Sequence, residues 1–89
     1  YIFLVAESLI EAAVAEGFDP DIAERIVTQL LLGASTLLAQ QGDPARLRKN
    51  VTSPNGTTAA GVAALEAHGL RAIFASAVTA ATDRSRELG

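Results

Sequence analysis

The sequence has no cysteine, no methionine and no tryptophan among its 89 residues. Without cysteine, no disulfide can staple the chain and no thiolate can bind a metal or attack a substrate. This absence suits a reducing cytoplasm. Aromatic residues are also scarce, at 4%. Basic charge is short as well: seven Lys and Arg stand against ten Asp and Glu, for a net charge of −3. That balance excludes nucleic acid, which needs a basic patch and counterion release. It also argues against an anionic membrane surface. The longest greasy stretch, Ile26 to Ala39, is broken by Thr28, Gln29, Ser35 and Thr36. It falls short of the ~20 residues that span a bilayer, so no membrane segment is expected. Tyr1 to Ala6 is apolar, but no basic residue precedes it and no cleavage pattern follows.

What is present is aliphatic. The hydrophobic fraction is 49%, carried by Ala, Leu, Val and Ile, and the mean hydropathy is +0.29. Ala and Leu are strong helix formers. The length bounds the chain to one domain, and a domain this small buries only about 60% of its unfolded surface. Too much apolar surface on so small a body points to an interface with a second copy.

Helical spacing runs through the whole chain, and nothing alternates with period two, so the fold class expected is all-α, with about five helices and no sheet. Val5, Leu9, Ile10, Ala13 and Val14 mark a first helix from Ile2 to about Glu16, closed by Gly17. This helix opens without a cap, which reads as continuation upstream in a longer parent. Asp19, Pro20 and Asp21 start a second helix, to about Gln41, with Gly42 as its stop. Its apolar residues cover several faces, the mark of a central helix. Gly33 in its middle costs about 1 kcal/mol against Ala, for which close approach of another helix compensates. Asp43-Pro44 starts a short basic helix to about Asn50. Two more helices follow, Ala59 to Ala67 with Val62 and Leu65 inward, and Leu70 to Glu87 with Ile73, Phe74, Ala77, Val78 and Ala81 on one side.

One stretch does not read as packing. Thr52, Ser53, Thr57 and Thr58 place four hydroxyls within seven residues, around Pro54, Asn55 and Gly56, just before a helix. A helix N-terminus offers free N–H groups and partial positive charge. Gly56 lets the backbone turn tightly and a ligand come close. Together these make an anion site without a large charge, suited to a small carboxylate. Each hydrogen bond to such a ligand contributes about 1.5–3 kcal/mol. The plain alternative is that Thr57 or Thr58 caps the helix and Ser53 to Gly56 is only a turn. The loop is not a P-loop, for it lacks the Gly-Lys-Ser/Thr ending and the preceding strand.

From Leu47 through Glu66 the chain resembles the signature of pyrroline-5-carboxylate reductases, with Thr52-Ser53-Pro54-Asn55-Gly56-Thr57-Thr58-Ala59-Ala60-Gly61 at its centre. The similarity continues through Gly69-Leu70-Arg71-Ala72 and Ala80-Ala81-Thr82-Asp83-Arg84 to Gly89, and upstream at Tyr1-Ile2-Phe3 and Gln29 to Ala34. It covers essentially the whole chain. The resemblance implies residues 1–89 as the C-terminal dimerisation and substrate-binding domain, intertwined with a second copy, in many members assembled further to decamers. It implies a parent enzyme that reduces 1-pyrroline-5-carboxylate to L-proline with NADPH or NADH in proline biosynthesis. That cofactor sits on an N-terminal Rossmann domain absent here, so the fragment binds none and is inactive alone. It further implies that the Ser53 hydroxyl and the N–H groups of Gly56, Thr57 and Thr58 hold the substrate carboxylate, with the Thr58 hydroxyl near the ring nitrogen as the catalytic contact. The family commonly has Gly-Gly after the proline, where this chain has Asn55-Gly56. Asn tolerates the left-handed region better than most residues.

Other residues tempt less. His68 is the only histidine and has no clustered partners, so no metal is expected. Glu7 and Glu11 lie one helical turn apart, a solvated or interface face rather than a catalytic pair. Asn50-Val51-Thr52 and Asn55-Gly56-Thr57 match the glycosylation pattern by accident. Asn55-Gly56 is also prone to slow deamidation. The competing reading of the chain is a stand-alone helical interaction module whose Ser/Thr loop is only a cap.

Overall fold

The computed structural model describes residues 1–89, all as helices and their connections: α1 (Ile2–Ala15), α2 (Pro20–Gln41), α3 (Pro44–Asn50), α4 (Thr57–Ala67) and α5 (Leu70–Leu88). The all-α expectation holds, with five helices and no strand. The chain divides into two compact units, Tyr1–Leu47 and Arg48–Gly89.

In the first unit α1 packs on α2. Gly17 ends α1 with φ +108. Its N–H donates to Val14 O at 3.0 Å, and that of Phe18 to Ala13 O at 3.1 Å. This paired closure satisfies two of the last carbonyls of α1 and needs a left-handed residue at Gly17. Asp19 then caps α2: its Oδ1 accepts from the Asp21 N–H at 3.0 Å and the Ile22 N–H at 3.5 Å. Pro20 follows at the first helical position, where its missing N–H does no harm. Asp43 starts α3 in the same way, accepting from the Arg46 N–H at 3.2 Å, though its own φ is +53. Gly42 before it is also left-handed, at φ +66.

Burial departs from the sequence expectation. Only Ala23 and Val27 are buried. Both lie on α2, one turn apart, which is the stripe that meets α1. Ile22, Ile26, Leu30, Leu32, Leu37 and Leu38 of the same helix stay exposed. Beyond its own helix backbone and chain neighbours, nothing comes within 4 Å of where a Gly33 Cβ would stand, so the close helix approach expected there is not made inside the chain. At 22 residues, α2 is also long and apolar enough to cross a membrane by length and composition. The greasy run from Ile26 to Ala39 is only part of this helix. The helix begins six residues earlier, at Pro20.

In the second unit α4 packs on α5. His68 and Gly69 make the turn between them. The His68 Nδ1 lies 2.9 Å from Ala64 O, and Gly69 is left-handed at φ +76. No residue of this unit is buried. Val62 and Ala77 are half-buried, whereas Leu65, Ile73 and Val78, expected inward, are 51%, 57% and 53% exposed. The inward placement of these three is not made within the chain, because nothing in the unit covers them. Val62, Leu65, Leu70 and Phe74 line an open cleft rimmed by Arg48, Glu66 and Arg71.

Candidate functional site

The Ser53–Gly56 segment is a tight turn closed by the Gly56 N–H donating to Ser53 O at 3.0 Å. Pro54 and Asn55 are its central residues, and Asn55 has φ +61. Proline first and a left-handed residue second is the requirement of a type II turn. Glycine is the usual second residue. Asn meets the same need at a small cost because its short polar side chain tolerates the left-handed region. The departure at Asn55 therefore leaves a left-handed turn in place.

Gly56 is needed for a different reason than its own φ, which is −83. A Cβ on Gly56 would stand 3.1 Å from Ser53 O and 3.5 Å from Ser53 Cβ. A side chain there would press on the backbone carbonyl that closes the turn.

Helix α4 starts at Thr57, two residues before the sequence expectation, with Gly56 as its N-cap and no side-chain cap at all. Thr57 and Thr58 occupy the first two helical positions, not the cap. The capping alternative for the two threonines is thereby removed. The first turn of an α-helix leaves its N–H groups without intrahelical partners. At α4 the first backbone donor bonded back to the turn is Ala60, to Gly56 O at 3.2 Å. The N–H groups of Thr57, Thr58 and Ala59 are thus left free. Sequence reading named Gly56, Thr57 and Thr58 as donors. In the folded turn the Gly56 N–H is already bonded to Ser53 O, and Ala59 supplies the third free N–H. Ala59 was missed because the helix start was placed on it. A start at Thr57 puts it at the third helical position.

The hydroxyls divide. Thr52 Oγ1 donates to Arg48 O and so closes the end of α3. Ser53, Thr57 and Thr58 are exposed, and their hydroxyls make no hydrogen bond within the chain. Three hydroxyls and three N–H groups thus gather at the positive end of an eleven-residue helix. They can grip a small anion through oriented donors, without a lysine or arginine among them. No His/Asp/Glu group is clustered to hold a metal. Glu66, exposed at the far end of α4, pairs with Arg71 in the first turn of α5 at 2.9 Å.

The chain is thus an all-α domain with open apolar helix faces and a helix start lined by unbonded donors. The family described as pyrroline-5-carboxylate reductase dimerisation matches residues 1–88. The chain belongs to that family. It is 46% identical to pyrroline-5-carboxylate reductase of Arabidopsis thaliana over 99% of this chain and 32% of that protein. To pyrroline-5-carboxylate reductase 3 of Danio rerio it is 44% identical, over 100% of this chain and 31% of the relative. Among solved structures, the pyrroline-5-carboxylate reductase of Coxiella burnetii superposes with a TM-score of 0.95 and 41% identity, over 100% of this chain and 33% of that one. The Plasmodium falciparum pyrroline carboxylate reductase, solved with NADP bound, gives a TM-score of 0.91 at 32% identity, over 96% and 35% of the two chains. The chain spans about a third of the length of the curated relatives it matches.

Proposed function

We propose that this chain is the C-terminal oligomerisation and substrate-binding domain of a pyrroline-5-carboxylate reductase, working with a dinucleotide-binding domain that it does not itself contain. The reaction is reduction of 1-pyrroline-5-carboxylate to L-proline. The observation that carries the reading is the bare N-terminus of α4. A helix with a glycine N-cap in place of a capping side chain gives up only about a few tenths of a kcal/mol, and a carboxylate seated on the free donors supplies the missing bonds when it binds.

In this reading the Thr57, Thr58 and Ala59 N–H groups and the Ser53 hydroxyl hold the substrate carboxylate. Gly56 keeps the turn close enough for Ser53 and α4 to share one ligand. The Thr58 hydroxyl faces the ring nitrogen and orients the imine; a threonine hydroxyl is too weak an acid to serve as the main proton donor. NADPH or NADH on the missing domain supplies hydride to the imine carbon. This chain contributes orientation, which fixes the ring for transfer.

A second copy is the proposed cover for the exposed faces of α2, α4 and α5, in a homodimer that builds larger assemblies such as decamers. The family's dimerisation description, the open space at Gly33 and the near absence of a core within one chain support that cover over lipid around α2. A cytoplasmic enzyme fits the lack of cysteine. The rival reading, a non-catalytic helical module, makes the Ser/Thr loop a cap, and α4 has no such cap.

The test joins the chain to a dinucleotide-binding half and replaces Thr58 by alanine. Turnover is expected to fall while oligomer mass, measured by light scattering, stays constant. Unaltered turnover removes Thr58 from the mechanism. A chain that stays monomeric at all concentrations removes the interface.

A further inference from the structure

The carboxylate site leaves the Asn55 side chain without a role. Asn55 is exposed and precedes the one residue type with no side chain to obstruct its backbone nitrogen. Deamidation begins when the Gly56 nitrogen attacks Asn55 Cγ. A new N–C bond closes a succinimide ring, and the side-chain amide leaves as ammonia. Water then opens the ring to aspartate or isoaspartate. Nothing is oxidised or reduced, and water is the only co-reactant.

The folded turn restrains this chemistry. The attacking nitrogen is held by its N–H donating to Ser53 O at 3.0 Å, so the turn must open before the ring can form. The turn belongs to Arg48–Gly89, where no residue is buried within the chain. Segments with few buried apolar contacts open at low free-energy cost.

We propose that Asn55 is a deamidation site guarded by the Ser53–Gly56 turn, and that its conversion closes the α4 N-terminus to carboxylates. The consequence for binding rests on the carboxylate reading above. Aspartate at 55 stands immediately before the N-cap, where its charge sits at the positive end of the helix. There it repels a carboxylate ligand, with an expected loss of affinity of roughly tenfold. The same charge complements the helix dipole, so the aspartate form keeps its fold while it loses its ligand. Isoaspartate adds a carbon to the backbone between Ser53 and α4 and separates the two halves of the site.

Asn50, the other asparagine of the chain, is a built-in reference, since it lies in α3 and the β-branched Val51 after it crowds ring closure. The protein, joined to its dinucleotide-binding half, is held at mildly alkaline pH and followed by peptide mapping, with and without saturating L-proline. Asn55 is expected to convert while Asn50 persists, and L-proline is expected to slow the conversion. Conversion at Asn55 no faster than at Asn50, or a rate indifferent to L-proline, overturns the proposal. L-proline affinity is then measured calorimetrically for Asn55→Asp, Asn55→Gly and Ser53→Ala. Asn55→Asp is expected to bind about tenfold more weakly, and Asn55→Gly like the parent. Weak binding in Ser53→Ala with full binding in Asn55→Asp overturns this inference and leaves the carboxylate site standing. Full binding in every variant overturns the site itself.

Discussion

The two units begin their main helices in opposite ways. In Tyr1–Leu47, α2 opens on Asp19 and Pro20, with the carboxylate bonded to two backbone N–H groups. In Arg48–Gly89, α4 opens on Gly56 with no side chain bonded to it. The first unit also has a buried pair, Ala23 and Val27, and the second has none. One helix start is completed by its own chain and one is left for something else to complete. The same unit thus lacks both a side-chain cap and a buried core of its own, so its donors and apolar faces stay unsatisfied within the chain.

The largest test of this contrast is at the buried pair. Ala23→Asp places an unpaired charge where α1 meets α2, and a loss of about 3 kcal/mol or more is expected, read as a collapse of the thermal unfolding transition. A variant that melts like the parent would show that the first unit has no core of its own. Next in size is the turn. Asn55→Ala puts a β-carbon residue in the left-handed region at a cost of about 1–2 kcal/mol, whereas Asn55→Gly holds or raises stability. Equal melting of the two would mean that the positive φ is not required. The caps come third. Asp19→Ala is expected to lower stability by about 1 kcal/mol, and Thr57→Ala to change it by less than about 0.5 kcal/mol, because Thr57 caps nothing. Equal losses in chemical denaturation would erase the difference between the helix starts. Smallest is the exposed Glu66–Arg71 pair, whose side chains are 46% and 70% exposed. Glu66→Gln is expected to shift stability by under about 1 kcal/mol, and a larger change would mean that the pair is covered in the assembled protein.

Helix boundaries were legible wherever a residue with one conformational preference marked them. Gly17, Pro20, Gly42, Pro44 and Gly69 each restrict or free the backbone locally, and the helices end or begin beside them. The start of α4 was misplaced by two residues because Thr57 and Thr58 are as good at capping as at the first helical positions. Side-chain type alone does not separate those roles. The loop was legible in its residue types as a hydroxyl-rich turn before a helix. Its donor set was not, since which N–H groups are free depends on where the helix begins and on what the turn already uses.

Periodicity, composition and the markers between segments determined by themselves that this chain is five helices with more apolar surface than one copy can bury, because those properties follow from local backbone preference and from counting. Only the tertiary structure decided that Ala23 and Val27 are the covered stripe, that Ile22, Ile26, Leu65 and Ile73 stay open, and that Ala59 replaces Gly56 among the free donors. Which face is buried is set by contacts between residues distant in sequence, and which donor is free is set by the geometry of one turn; neither is encoded in the spacing of residue types.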